Sequence, residues 1–341
     1  MIRIAVAGAG LIGRAHIERI TAAPGLALAA IIDPQEDARD QAARLGVPYF
    51  AGLDEALRVT RPDGVVIATP NALHVPHGLL AVAAGVPMLI EKPLADTLEG
   101  GAALVRAAQE AGVPVLVGHH RRHSPALARA RAVVQSGALG TIMAVQAQCL
   151  FRKPASYFEG AGAWRTQVGG GLVLINIVHV IDDLRCLCGE VTAVQAMAGH
   201  AGRGLAVEDT AAILLRFESG ALGTLIASDA TVAPWSWEMT SGENPAYPQT
   251  EQSCYAIAGS AGALSVPAME LWRHEGDGWM TGMGAGRLTV PEGDPLTLQM
   301  AHFAEMIAGA PPLLDGAGGL RTLAVTLAVL EAARTGGIVR L

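Results

Sequence analysis

The chain opens with Ile2-Arg3-Ile4-Ala5-Val6-Ala7-Gly8-Ala9-Gly10-Leu11-Ile12-Gly13, an apolar run ending in a G-x-G-x-x-G turn. The run predicts a strand, and the turn leads into a helix that starts at Leu11 and Ile12. In such a turn the first glycine makes the tight bend and the second lets the backbone approach a pyrophosphate. The third lets helix and strand pack closely, while the helix N-terminus faces the phosphates. In a chain with 41 glycines the pattern alone is weak, and its context makes it informative. The next apolar run, Leu26–Ile32, ends at Asp33, 20 residues beyond Gly13. An acidic side chain there accepts hydrogen bonds from the adenosine ribose and repels a 2′-phosphate. The stretch therefore reads as a dinucleotide site for NAD rather than NADP.

Further apolar runs follow at 64–68, 87–90 and 114–117. They are continuous rather than alternating, as strands buried on both faces of a parallel sheet are. Helical stretches at 53–59 and 77–84 lie between them, so the first 118 residues predict a βαβ series. Ligands in such sheets sit at the carboxyl ends of the strands. Thr69, Asn71 and His74 follow one strand, and Glu91 and Lys92 another, so all five are candidate cofactor contacts. Taken alone, Glu91-Lys92-Pro93 reads as a charged strand-to-helix turn.

After Gly118 the rhythm changes. A helix is expected at 126–137, an alternating strand at 141–150 and a helix at 171–187. Alternating strands follow at 192–198, Thr210–Phe217, 223–230 and 253–258, and closing helices at Pro295–Ile307 and 319–334. Alternation implies a sheet with one packed face. The segment 234–252, rich in Trp, Pro, Gly and Tyr, predicts a long ordered loop. The net charge is −7 and no Lys/Arg-rich run occurs, which argues against nucleic acid or an anionic membrane as partner. No run of about 18 apolar residues is unbroken, so no spanning helix is expected. The four cysteines show no C-x-x-C and read as reduced thiols of a cytoplasmic protein.

The stretches GAGLIG, ATPNALH, IEKPLA, GHHRR, Trp164-Arg165 and GGGLVLINIVHVID occur in that order. Through them the chain resembles the glucose–fructose oxidoreductase/inositol dehydrogenase/MocA family over essentially its full length. The resemblance implies an α/β fold: an N-terminal Rossmann doubly wound parallel sheet (1–118, NAD-binding) and a C-terminal α+β domain (119–341, catalysis and oligomerisation). The second domain is built on a large, mostly antiparallel open sheet, whose outer face joins subunits into a homodimer or homotetramer. A cis Lys92–Pro93 bond is also implied. In the family, the lysine of E-K-P and the histidine of G-G-G…H-x-x-D meet over the nicotinamide; here these are Lys92 and His179. A histidine, with an unperturbed pKa of about 6.5, suits removal of a hydroxyl proton near neutral pH. A lysine ammonium stabilises charge developing on the same oxygen.

The implied activity is NAD-dependent hydride transfer to or from a secondary alcohol or ketone of a cyclic polyol, sugar or sugar acid. A dihydrodiol dehydrogenase and a non-catalytic NAD-binding sensor or accessory protein are the alternatives. One departure stands out. Many members carry Asp four residues before the histidine, where this chain has Ile175 and, at the next position, Asn176. Asn176 can orient a substrate but cannot ionise. Asp182, one turn after His179, is a candidate to orient the imidazole, with Asp183 as rival. Among the five polar residues His119–His123, His120 and Arg122 are expected to line the substrate site. A metal there is not expected, because no carboxylate or cysteine stands at ligand spacing. Arg165 is a candidate contact for the nicotinamide end or an acidic substrate group. Trp235, Trp237 and Tyr247 either stack on a sugar ring or pack in a core or interface.

Overall fold

The apolar runs of the first 118 residues form one parallel sheet. Its strands are β1 (Ile2–Ala7), β2 (Leu26–Ile32), β3 (Tyr49–Phe50), β4 (Gly64–Ile67), β5 (Met88–Ile90) and β6 (Val115–Val117). They lie in the order β3-β2-β1-β4-β5-β6, the dinucleotide-binding arrangement whose ligand crevice lies where the order reverses, beside β1. The central strands are buried on both faces, which is why their sequence is continuously apolar. The connecting helices are α1 (Leu11–Ala22), α2 (Glu36–Leu45), α3 (Leu53–Thr60), α4 (His74–Ala83) and α5 (Leu98–Ala111). A 3₁₀ turn, Asn71–Leu73, runs straight into α4, so that helix starts three residues earlier than its apolar pattern indicates.

The computed structural model describes residues 1–167, 169–276 and 278–341. Its contacts divide the chain into two units: Met1–His120 with Pro295–Leu323, and Arg121–Asp294 with Ala324–Leu341.

In the second unit α6 (Pro125–Gln135) precedes β7 (Ile142–Arg152), and α7 (Val178–Cys188) precedes β8 (Val191–Gly199), β9 (Thr210–Phe217) and β10 (Leu222–Ser228). β11 (Ala230–Trp235) and the short α8 (Trp237–Thr240) occupy part of the segment expected to be loop. β12 (Tyr255–Gly259), β13 (Ala263–Val266), β14 (Glu270–His274) and β15 (Met283–Arg287) follow. With β16 (Ile338–Arg340) these strands form a ten-stranded sheet in the order β15-β14-β13-β12-β7-β10-β9-β8-β16, with β11 on β7. All its pairs are antiparallel except β10 with β7. β9 alternates strictly between exposed and buried residues. Its inward residues Ala211, Ile213, Leu215 and Phe217 join Val180, Ile181 and Leu184 of α7 in one core. Outward, Leu214, Leu222 and Ile226 leave an apolar face in solvent.

The last helices are α9 (Pro295–Ile307) and α10 (Gly316–Thr335). The expected second domain, 119–341, is interrupted here, because α9 returns to the first unit. There Met300, Phe303 and Met306 fill one core with Ile17 and Ile20 of α1. By length and composition alone α10 could cross a membrane, but 56% of that stretch is buried inside the protein, as in the core helix of a globular fold.

Candidate active site

The three glycines of the first turn sit in three different environments. Gly8 has φ +92, and a Cβ there would lie 2.4 Å from the Ala68 carbonyl oxygen at the end of β4. A Cβ on Gly13 would fall 1.8 Å from the Gly8 carbonyl oxygen. Among the described residues nothing lies within 4 Å of a Cβ on Gly10, so the backbone there is open. Gly10 is also the N-cap of α1, and no side chain caps the helix. The first-turn amides, at Leu11 and Ile12, are the kind of helix terminus that suits an anion. Asp33 reaches this turn from the end of β2. Its Oδ2 accepts from the Ala9 amide at 2.7 Å and its Oδ1 from the Gln35 amide at 2.9 Å. The residues present fit a dinucleotide: open backbone for the pyrophosphate and a carboxylate at the ribose position.

Polar residues at the next strand ends do other work. His74 is buried, with Nδ1 2.8 Å from the Pro93 carbonyl and Nε2 2.8 Å from the Thr69 carbonyl. Burial lowers its pKa, against the pull of those two carbonyls. Its ring thus ties the loop after β4 to the loop after β5, a brace between backbones. Thr69 Oγ1 and His77 Nδ1 are 3.2 Å apart, and Asn71 opens the 3₁₀ turn. Glu91 is also buried, with Oε1 2.8 Å from His16 Nε2 and Oε2 accepting from the Lys92 amide. Burial pushes Glu91 up, but the hydrogen bond and charge of His16, with Lys92 and His120, outweigh it and hold the carboxyl below its ordinary value. Glu91 therefore pins α1 to the end of β5. His16, on the buried face of α1, was not legible as a partner 75 residues away. Lys92 follows, half-buried, and its bond to Pro93 is cis.

In the second unit His179 stands in the first turn of α7, buried, directly after a π-helical turn at Val173–Ile177. Such turns are rare and recur at functional sites. Asn176 belongs to that turn, and its Oδ1 accepts from Lys153 Nζ at 2.5 Å. Lys153 lies just past β7 and pairs with Asp229 Oδ2 at 3.2 Å. Burial lowers the lysine pKa, opposed by the Asp229 charge. The Tyr157 ring lies 4.6 Å from Lys153 Nζ and 4.1 Å from the Arg165 guanidinium, whose Nη1 donates to the Tyr157 carbonyl. Arg203 packs 4.4 Å over Phe158 and donates to both Asp229 Oδ1 and the Asp229 carbonyl. Of these residues the sequence pointed to Asn176, His179 and Arg165. It gave no signal for Lys153, Arg203 and Asp229.

A family model described as "Oxidoreductase family, NAD-binding Rossmann fold" matches residues 2–119, and "GFO/IDH/MocA C-terminal domain" matches 127–265. The chain belongs to the GFO/IDH/MocA oxidoreductase family. It is 31% identical to the 1,5-anhydro-D-fructose reductase of Ensifer adhaerens, over 80% of this chain and 78% of that one. It is 27% identical to the scyllo-inositol 2-dehydrogenase (NAD(+)) of Bacillus subtilis strain 168, over 100% and 96%. Among solved structures, the WlbA dehydrogenase of Bordetella pertussis in complex with NADH and UDP-GlcNAcA superposes with a TM-score of 0.81 at 26% identity, covering 100% of this chain and 98% of that one. The protein is thus an NAD-binding oxidoreductase of this family.

Within this GFO/IDH/MocA member, Asp182 and Arg122 engage each other. Arg122 Nε donates to Oδ2 at 2.7 Å and Nη2 to Oδ1 at 3.0 Å. Burial favours a neutral guanidine, and Asp182 more than reverses this, so Arg122 stays charged. Neither was expected to hold the other: the sequence suggested an imidazole for Asp182 and a substrate for Arg122. His120 stands in a 3₁₀ turn, His120–His123. Among the described residues no group of three or more His, Cys, Asp or Glu side chains could hold a metal. Trp237 is buried and donates to Glu243, so it belongs to the core, whereas Trp235 and Tyr247 are partly exposed.

Asp183, fully buried, accepts from Tyr255 Oη at 2.7 Å and Arg121 Nη1 at 3.1 Å. Burial pushes its pKa from 3.8 up to about 7, although Arg121 and Tyr255 pull the other way. A carboxyl whose pKa rises on folding stabilises the fold most below its unfolded value, and that contribution is lost as pH rises through the folded one. Between pH 4 and 7 the wild type should therefore lose up to about 1 kcal/mol per pH unit relative to Asp183→Asn. Urea midpoints of both proteins at four pH values would measure this. Parallel pH dependences would contradict it.

Proposed function

We propose that this protein is an NAD-dependent dehydrogenase acting on a secondary alcohol or ketone of a cyclic polyol, sugar or sugar acid. The observation that carries the reading is the buried imidazole of His179 following a π-turn in an NAD-binding oxidoreductase. When bound, the dinucleotide supplies the hydride acceptor. The first-turn amides of α1 and the open Gly10 backbone hold its pyrophosphate, and Asp33 its ribose. Lys92 donates to the carbinol oxygen and stabilises charge there, and His179 takes the hydroxyl proton. Asn176 orients a neighbouring substrate oxygen. In this reading Arg165 and the partly exposed Trp235 and Tyr247 contact the substrate. His120 joins them in the same reading.

Preference for NAD rests on two features. The Asp33 carboxylate is held at the glycine turn, where a 2′-phosphate would meet it. The nearby cation, Arg14, is already paired with Asp37 and donates to the Ala9 carbonyl. The relative named for scyllo-inositol and NAD(+) agrees with this cofactor and substrate class. The exposed apolar face of the ten-stranded sheet, with Leu214, Leu222 and Ile226 on it, supports a homodimer or homotetramer contact there. Free thiols at all four cysteines suit a cytoplasmic site of action.

The test is a screen of inositols, aldoses, uronates and dihydrodiols with NAD+ and NADP+ in parallel, following absorbance of the reduced cofactor. NAD+ should support turnover of at least one polyol, sugar or sugar acid. Asp33→Asn should shrink the preference for NAD+ over NADP+ by on the order of 10²-fold, the size of one like-charge contact. Tighter NADPH than NADH binding by the wild type would show the cofactor reading wrong. No turnover in any arm would favour the accessory role.

A further inference from the structure

The backbone that carries Lys92 is held on both sides. Its amide donates to Glu91 Oε2 at 3.2 Å, and the following carbonyl, that of Pro93, lies 2.8 Å from His74 Nδ1. The two holds lead to different places. His74 returns to the neighbouring loop, at the Thr69 carbonyl. Glu91 leads to His16 on α1, with Oε1 2.8 Å from Nε2. His16 follows the first-turn amide of Ile12 by one helical turn, so it belongs to the helix that starts at the glycine turn.

The contact between the two side chains has one sense. The Glu91 carboxyl is held below its ordinary value and is therefore an acceptor, so His16 Nε2 carries the proton and donates. Nδ1 of the same ring is buried with no hydrogen-bond partner among the described residues, which leaves the bond to Glu91 as the polar tie of a fully buried side chain. The carboxylate has little room to turn elsewhere. From the side of β6, a Cβ on Gly118 would lie 2.9 Å from both Cα and Cδ of Glu91 and 3.0 Å from Oε1. Gly118 is thus bare where Glu91 passes, and its amide donates to the Ile90 carbonyl at 2.7 Å, next to Glu91 in the chain.

We propose that His16 is a positioning residue for Lys92: acting through Glu91, it ties the loop that carries the lysine to α1, so that the helix of the glycine turn also sets where the lysine stands. The proposal rests on the dehydrogenase reading for what Lys92 does there, and not for the tie itself. Its physical basis is that a reacting group displaced by about 1 Å can lose about 10²-fold in rate, even when the change lies away from the chemistry.

His16→Phe fills the place of the ring and removes the donor. It should lower kcat by about 10–10²-fold, while NADH affinity by fluorescence titration stays within a few-fold of wild type. His16→Gln, whose amide nitrogen reaches about as far as Nε2, should recover most of that loss. Gly118→Ala, which displaces Glu91 from the opposite side, should reproduce it. The deciding comparison is a double variant. If His16 acts through Lys92, His16→Phe should change kcat by less than about three-fold in a Lys92→Ala background, whereas a general weakening of the fold would multiply the two losses. Amide hydrogen exchange of the unliganded proteins reads the tie without turnover. In the peptide containing Glu91-Lys92-Pro93, exchange at Lys92 should quicken by about ten-fold or more in His16→Phe and slow again in His16→Gln. The proposal is overturned if folded His16→Phe keeps wild-type kcat, if its effect is as large without Lys92 as with it, or if exchange at Lys92 does not change. Should His16→Phe fail to fold, Gly118→Ala takes its place in the same comparisons. Absence of turnover in the wild type would sink the dehydrogenase reading, and the exchange measurement would still decide the tie.

Discussion

Replacing His179 with glutamine should lower kcat/KM by about 10²–10⁴-fold, the range for loss of a positioned general base. NADH affinity should stay within a few-fold of wild type, because the glycine turn and Asp33 are untouched. Glutamine keeps the approximate volume and a hydrogen-bonding end, so the buried first turn of α7 should remain folded. Lys92→Ala should cost about 10²–10³-fold, as when one donor to a developing oxyanion is removed. If both residues serve one oxygen and its proton, the double variant should lose far less than the product of the two effects. The clearest signature is the pH profile. His179→Gln should lose the acidic limb of kcat/KM, whereas Lys92→Ala should keep it at reduced height. Wild-type turnover surviving in both single variants would remove both residues from the chemistry.

What could be read in advance divides along a physical line. The first sheet was legible because its strands are continuously apolar and its turns carry glycines that only one geometry requires. β1 and β2 begin and end where their apolar runs do. β9 was legible for the opposite reason, a strict alternation along its whole length. β3, with two residues, and β16, with three, are too short to show either period, and pairing with a longer neighbour creates them. β13 has only four residues, and β14 and β15 mix charged, glycine and apolar residues without a clean repeat; successive pairing outward from β12 organises them.

The site shows the same division. Asp33 was singled out by its spacing from the glycine turn, and Lys92 and His179 through the family resemblance. Glu91 and His74 were found as polar residues at strand ends, but position in the sequence does not say which way a side chain turns. Both turn into the protein, toward His16 and two carbonyls respectively. Asp182 was a candidate to orient the imidazole and Arg122 to line the substrate site; the two lie 60 residues apart and bind each other, a contact the sequence did not show. Lys153 left no trace, because a single lysine after a strand reads as a solvated charge until its buried partner is known. Charge pairing between distant segments is a property of the fold, and local patterns carry little of it.

The glycine turn gives the other large effect, and there the three positions should separate. At Gly13 a methyl group would sit 1.8 Å from a backbone carbonyl oxygen that cannot rotate away. α1 must therefore move off β1, which disturbs the core that Ile17 and Ile20 share with α9. Gly13→Ala should lose stability by at least the ~1–3 kcal/mol typical of overpacking, and NADH affinity by 10²-fold or more as the anion seat is displaced. Gly10→Ala meets nothing within 4 Å and has an ordinary φ of −71, so it should melt with the wild type. It should still lose NADH, because the methyl group occupies the space through which the pyrophosphate reaches the backbone. Thermal denaturation and fluorescence titration with NADH, run on both variants, separate packing from ligand approach. Wild-type NADH affinity in Gly10→Ala would show that the pyrophosphate does not lie over this residue, and the seat would then have to be sought along the remaining first-turn amides of α1.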